Sequence, residues 1–514
     1  MSLLVSAAAL GGFAISAAAE NPQRHVLIIS IDGFHQADLR DPALAADMPN
    51  ILELAQQGIE YTHATCAIPS DSFPGSAAYF TGATPRTTGI YFDDTFCRSF
   101  RAPGSGLAAP LGAEVPFTGA VDVDSQRLDG GADSGFKSID ADKLPLAEKA
   151  GKLVPVYPHN YLKVNTIFEV AHEAGMRTAI IDKHPCYDLA AGPSGKGIDD
   201  LYGPESDAEL YLYQGQLLDY ATVPPAKADK LKKLTKKVSI SNAFDDLRLK
   251  ALLNQIAGKD ARGATSPGVP ALFAFNFVAF NTAQKLDDGG IEKKADGTEG
   301  AVSEPMHEAL RHVDQSIAQV VAALKAQHIF DSTLVILTAK HGQSCRLGFA
   351  TTLPVNTFNS VLRDHNIYLN HATQDDVGLY WLKDQNKAAQ AAALLTALPA
   401  KFGIDEVLWG QQLVAAGFGD PAADDRAPDI IIKLKPEFLI HDSSKRAEHG
   451  GFSEDDLHVA LILAGALPPA DRGSIQNAPV QSTQIAVTAL QALGLNPAKL
   501  QGAQIEKTAP LPGI

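Results

Sequence analysis

Short apolar runs of β character alternate along this chain with helical ones, and that alternation admits few folds. His25 to Ile31, Arg177 to Ile181, Leu272 to Phe280, Thr333 to Thr338 and Leu457 to Leu463 read as strands covered on both faces. Between them come helical stretches: Asn50 to Gln57, capped by Asn50 and closed by Gly58; Asn165 to about Gly175; Pro305 to Gln327; and Thr483 to Leu493, stopped by Gly494. Such a series builds an α/β domain with a mostly parallel central sheet and helices on both faces. The 514 residues exceed a usual single core, but large α/β enzymes reach this size as one domain with insertions. Segments 95–160, 203–268 and 346–427 are rich in Gly, Pro or charge, or carry strand and helix signals of their own. They read as cap-like insertions on a domain spanning residues 20–514.

Polar side chains follow the carboxyl ends of these strands: Asp32, Asp182-Lys183, Asn281 and Lys340-His341. Open α/β sheets bind ligands at that edge. Downstream of the first lies Pro69-Ser70-Asp71-Ser72-Phe73-Pro74-Gly75. A hydroxyl just ahead of a Pro-initiated helix, with a carboxylate from the preceding strand, suits attack on an anionic ester. The helix start presents N–H groups and the positive end of its dipole, and Pro74 fits its first turn. Gly75, Ser76, Ala77 and Ala78 are small enough for a substrate to approach the backbone. Ser72 is the better placed hydroxyl and Ser70 the weaker one, although Ser72 alone reads equally well as a helix cap. Asp182-Lys183-His184-Pro185 forms a second polar cluster before a Gly-rich turn that lacks the spacing of a P-loop. Lys183 and His184 are expected at the substrate.

Ile31-Asp32-Gly33-Phe34, the Ser72-Phe73-Pro74 turn and Thr81-Gly82-Ala83-Thr84-Pro85 with Gly89-Ile90 resemble the type I phosphodiesterase/nucleotide pyrophosphatase branch of the alkaline phosphatase superfamily. The resemblance implies an alkaline-phosphatase-like fold and a phosphodiester or nucleotide pyrophosphate substrate. A phosphomonoester or sulfate ester is the alternative within the same chemistry. It matches Asp32 to the acidic metal ligand after the first strand and Ser72 to the nucleophile, which carries a covalent seryl-phosphate. Thr338-Ala339-Lys340-His341-Gly342 is similar to the family's strand-end Asp-His-Gly, with Lys340 in place of the aspartate. Glu448-His449-Gly450-Gly451-Phe452 is similar to its late His-Gly element, making His449 a metal-ligand histidine. Asn281 and Lys285 stand in the places of its Asp-x-x-x-His pair.

These departures bear on the metals. The family site holds two divalent ions, usually zinc, that activate the nucleophile and neutralise the transferred group. An ammonium about 4 Å from a dication is repelled by about 8 kcal/mol at an effective dielectric near 20. Two lysines among the ligand positions therefore argue for fewer than two ions, or for none. In one reading Lys340 and Lys285 stand where ions would, with Lys340 stabilising the Ser72 alkoxide. Asp32 or His341 then accepts the hydroxyl proton, and His449 serves the leaving group or water. In a second, one ion survives on Asp32, His341 and His449. In a third, the site is degenerate and only binds anions. Asn281 and Lys285, with Lys183 and His184, are expected to contact substrate.

The net charge of −16 leaves no basic stripe for nucleic acid. Residues 1–19 read as an export signal, with an apolar stretch from Leu3 to Ala17 and Ala17-Ala18-Ala19 before Glu20, although no Lys or Arg precedes it. That run is short for a membrane span, no other segment is apolar enough for one, and a secreted or periplasmic location is expected. Cys66, Cys97, Cys186 and Cys345 are compatible with one or two bridges or with buried free thiols.

Overall fold

The run His25–Ile31 folds as the central strand of the molecule, buried at all seven positions. The computed structural model describes residues 24–223, 237–442 and 445–514. Residues 1–19, read from the sequence as an export signal, lie outside the described residues, as does part of 203–268. The main sheet has eight strands. Across it the order is Ser474–Gln476, Ile59–Tyr61, Ile462–Gly465, Thr333–Thr338, His25–Ile31, Leu272–Phe277, Thr178–Ile181 and Asp200–Tyr202. Ile462–Gly465 alone runs against the rest of this sheet. Parallel strands need covering on both faces, which is why these segments are apolar without alternation.

Several element ends differ from the sequence reading. The strand from Leu272 stops at Phe277, and Ala279–Lys285 turns into a helix. Asn281 and Lys285 therefore lie four residues apart on one helix face, not at a strand end. Met48, not Asn50, precedes the helix Pro49–Gln57, and the Asn50 amide instead donates to Asp314. Thr166, not Asn165, caps Ile167–Glu173, through a reciprocal box with Glu169. The late strand begins at Ile462, after a one-turn helix at Glu454–Leu457.

The helix Glu304–Ala326, capped by Ser303, packs against Pro49–Gln57, Val238–Ile256 and Ala279–Lys285. Val238–Ile256 does more than cover the sheet. Its Asp245 accepts from the N–H groups of Val278 and Ala279, clamping the start of the helix that carries Asn281 and Lys285. A separate four-stranded antiparallel sheet (Leu369–Gln374, Val377–Leu382, Ile430–Leu434, Ile404–Trp409) has apolar residues packed on both faces. One of those layers includes Tyr91 and Phe92, just downstream of the helix Ser72–Thr81. All four cysteines are buried free thiols. No helix among the described residues is long and apolar enough to cross a membrane.

Candidate active site

Asp32 leaves the central strand at the carboxyl edge and is fully buried. The next strand, in register with Ser30 opposite Asn276, brings the Asn276 amide to 2.8 Å from Asp32 Oδ1. Arg248 donates to Asn276 Oδ1 at 3.3 Å, which turns the NH2 group toward the carboxylate. Lys183, two residues past the strand Thr178–Ile181, reaches in from the other side. Its Nζ lies 2.9 Å from Asp32 Oδ2 and 2.9 Å from Ser72 Oγ.

Ser72 opens the helix Ser72–Thr81, and Asp71 is its cap, with Oδ2 accepting the Phe73 N–H at 3.1 Å. Gly75 N–H goes to the Asp71 carbonyl and Pro74 has none to give. The first turn thus holds the chain's own carboxylate and does not offer the open row of N–H groups expected from the sequence. Burial raises Asp71 to about 6, against the pull of the Phe73 N–H and Lys183. The small residues here also serve another purpose than expected. A Cβ on Gly75 would sit 2.1 Å from the Lys340 carbonyl oxygen, so the gap is filled by the strand-end backbone. Ser70 accepts the Gly450 N–H and braces the loop before the helix.

His341 Nε2 lies 3.3 Å from Ser72 Oγ, and Nδ1 lies 2.7 Å from the Gly342 carbonyl. A ring nitrogen facing a carbonyl must carry the proton, which leaves Nε2 as the acceptor for the Ser72 hydroxyl. Burial lowers His341 to about 3, with Lys183 adding to the effect and Asp32 opposing it, so the ring is neutral at neutral pH. His449 lies against it, ring centroids 3.7 Å apart and planes tilted by 32°. Burial, then His341 and Lys285, push His449 well below the ordinary histidine value, with Glu448 opposing. Its Nδ1 is 3.5 Å from Asp71 Oδ1.

The lysines are distributed differently from the sequence expectation. Lys340 Nζ is bound to Asp182 Oδ1 at 2.7 Å and to the Tyr187 hydroxyl at 2.6 Å. Lys183, and not Lys340, is the ammonium at Ser72. Exposure separates them as well: the Lys183 side chain is 16 % exposed and that of Lys340 is 0 %. Burial works against the charge of Lys183, but Asp32 and Asp182 outweigh it and hold it above the usual lysine value. For Lys340 burial prevails over Asp182 and Asp32 and lowers it. Burial pushes Asp32 up, yet Lys183, Lys340 and His341 together hold it well below the carboxylate range. Lys285 Nζ bonds Glu448 Oε2 at 2.7 Å, and Lys445 holds the other oxygen. The Asn281 amide bonds Gln343 Oε1 at 2.6 Å. His184 turns away from Ser72, its Nδ1 2.7 Å from Glu205 Oε1.

This donor arrangement does not suit the family's zinc pair. Both Asp32 oxygens are taken, one by Asn276 and one by Lys183. Lys183 Nζ, equidistant from Asp32 and Ser72, fills the point a bridging ion would need. Among the described residues, sets of three His, Cys or acidic donors within 4.8 Å of one another occur at Asp94/Glu114/His371 and His184/Glu205/Asp207. Asp32, His341 and His449, the set expected from the sequence, do not close into such a group. Asn276, Asp71, Tyr187 and Glu448 complete the cluster and were missed as site residues. The strand register of Asn276 and the acidic residues flanking Ser72 and His449 were their only signals.

A mostly parallel α/β sheet with a buried carboxylate, a helix-start hydroxyl and two histidines at its carboxyl edge fits the alkaline-phosphatase-type hydrolases that the sequence resembles. The sequence model of the family described as type I phosphodiesterase/nucleotide pyrophosphatase matches residues 26–106 and 155–456. The chain belongs to that family and is a phosphodiesterase/nucleotide pyrophosphatase-like hydrolase. Among solved structures it is similar to murine ectonucleotide pyrophosphatase/phosphodiesterase 5 (ENPP5, NPP5), including an inactive form in complex with AMP. Identity is 14 %, the TM-score 0.57, and coverage 92 % of this chain and 96 % of that chain. The human counterpart gives 13 % identity at the same TM-score and coverage. No curated protein matches the chain.

Proposed function

We propose that this chain is an exported hydrolase that cleaves phosphodiesters or nucleotide pyrophosphates through a covalent intermediate on Ser72, with lysine taking over the electrostatic work of the family's metals. The reading rests on one observation: Ser72 Oγ accepts from the Lys183 ammonium while its proton faces a neutral His341 Nε2. A strand-tip ammonium stabilises the alkoxide and the equatorial phosphoryl oxygens where a cation is needed. His341 takes the hydroxyl proton as the Ser72 oxygen bonds to phosphorus. The bond to the leaving oxygen, on the far side of phosphorus from Ser72, breaks, and that oxygen departs as the anion and takes a proton from solvent. A water then attacks the seryl-phosphate from that far side and passes its proton to His449, while the Ser72 oxygen leaves and takes its proton back from the His341 imidazolium. Asp32 keeps Lys183 charged and aimed, and Lys340 stays buried behind it as counter-charge to Asp182. Lys285, with 13 % of its side chain exposed, is the cation available to the rest of the substrate, with Asn281 beside it. The apolar segment 1–19 supports export to a periplasmic or extracellular space.

The test is turnover of aryl phosphodiester, phosphomonoester and sulfate ester substrates, with chelator and with added zinc. Diester turnover is expected to survive chelation and to fall about 1,000-fold or more in Ser72→Ala. Preference for the monoester or the sulfate moves the substrate class. Activity that needs zinc, with two equivalents bound, overturns the lysine reading. No turnover of any ester reduces the chain to an anion-binding protein.

A further inference from the structure

We propose a divalent-cation site outside the catalytic centre, formed by His184, Glu205, Asp207 and Asp122 where two peripheral segments meet a strand end of the main sheet. Lys183 and His184 are neighbours that face opposite ways: Lys183 turns to Asp32 and Ser72, and His184 to the carboxylates. His184, Glu205 and Asp207 bring ligand atoms within 4.8 Å of one another. The Asp122 carboxyl meets that of Glu205 from the other segment.

Bare packing does not account for this cluster. Asp122 and Glu205 are both 0 % exposed. Among the described residues, neither Asp122 oxygen nor Glu205 Oε2 has a hydrogen-bond donor. Buried carboxylate oxygens without a donor are costly. The two carboxyls lie within hydrogen-bond reach of each other, and a proton between them would still leave buried oxygens without a donor. A dication serves the same need and supplies the missing partners. The backbone gathers the donors: Gly119 donates to Asp207 Oδ2 at 3.2 Å, and the Glu205 carboxyl packs where a Cβ on Gly119 would meet its Cδ at 2.9 Å. Asp207 is exposed and gives the entry path.

The chemistry of the donors narrows the ion. One imidazole with three carboxylates suits zinc or manganese better than calcium or magnesium, which prefer all-oxygen shells. The 2.7 Å from His184 Nδ1 to Glu205 Oε1 needs little opening, since ligands of a tetrahedral zinc at about 2.0–2.1 Å lie roughly 3.3 Å apart. An ion here would pin residues 182–184, and with them Lys183, to the two segments that carry Asp122 and Glu205. The site stands independently of the lysine mechanism.

The test titrates the chelator-stripped full chain with zinc and with manganese by calorimetry, and follows Tm and cobalt absorption. One equivalent is expected to bind and to raise Tm. Asp122→Asn and Glu205→Gln, which keep shape and remove a buried charge, are each expected to weaken binding about 100-fold or more. Their circular dichroism and metal-free Tm establish that they fold. Ser72→Ala and His449→Ala are expected to bind the ion as the parent does. No binding by the parent chain, or binding untouched by both amide variants, overturns the site and leaves the lysine reading standing. Binding lost in His449→Ala instead overturns both.

Discussion

Lys183 and Asp32 form a buried ion pair in which each partner makes the other tolerable. A lone carboxylate left at 0 % exposure has lost its solvation and its counter-charge. Lys183→Met is therefore expected to lower stability by about 3–5 kcal/mol. The pair Asp32→Asn/Lys183→Met should recover most of that in urea unfolding. Turnover should not return, because the cation at Ser72 is gone. Wild-type rates in the single variant would show that the charge at Ser72 is dispensable. Asp32, Ser72, His341 and His449, each placed by a short motif with its own backbone reason, come together at one edge of the sheet. The partner of Lys340 was not readable. Whether a lysine four carbons long turns to Ser72 or to Asp182 depends on Tyr187, some 150 positions away in the chain.

The helix Ser72–Thr81 owes its position to how closely it lies on the strand end that carries Lys340 and His341. Gly75 is the contact, with the Lys340 carbonyl in the space a Cβ would take. Gly75→Ala is expected to lower stability by about 1–3 kcal/mol through overpacking. It should cut kcat about 100-fold by moving Ser72 relative to His341, because a shift near 1 Å is enough for that. A Tm and kcat equal to wild type would mean that the helix can move without cost. Of the eight strands of the main sheet, the short Ile59–Tyr61, Asp200–Tyr202 and Ser474–Gln476 were not legible, and the other five were, as apolar runs. Their ends were less so: Leu272–Phe277 continues into the helix Ala279–Lys285 without a break in hydrophobicity, and Asp245 of another helix decides where the change falls. The cap of the helix Ser72–Thr81 was left open for a similar reason, since Asp71 and Ser72 are both good caps and only the backbone geometry chooses between them.

Across the whole molecule, burial of neutral histidine at the site couples folding to pH. His341 titrates near 3 when folded, against an ordinary value of 6.5, so the unfolded chain binds the extra proton between those limits. Its contribution to stability is complete above about pH 6.5 and is lost as pH falls toward 3. Urea midpoints measured from pH 7 to pH 4 should drop, and His341→Gln should drop less over the same range. Equal slopes would mean that His341 is charged in the folded chain. The sequence alone determined the parallel α/β sheet, the family and the row of polar residues at the strand tips, because these follow from local hydrophobic pattern and short motifs. Tertiary structure decided which ammonium meets Ser72, which way His184 turns and that Asp122 lies against Glu205. Those are contacts between distant segments, and long polar side chains choose among nearby partners only once burial has removed water as the alternative.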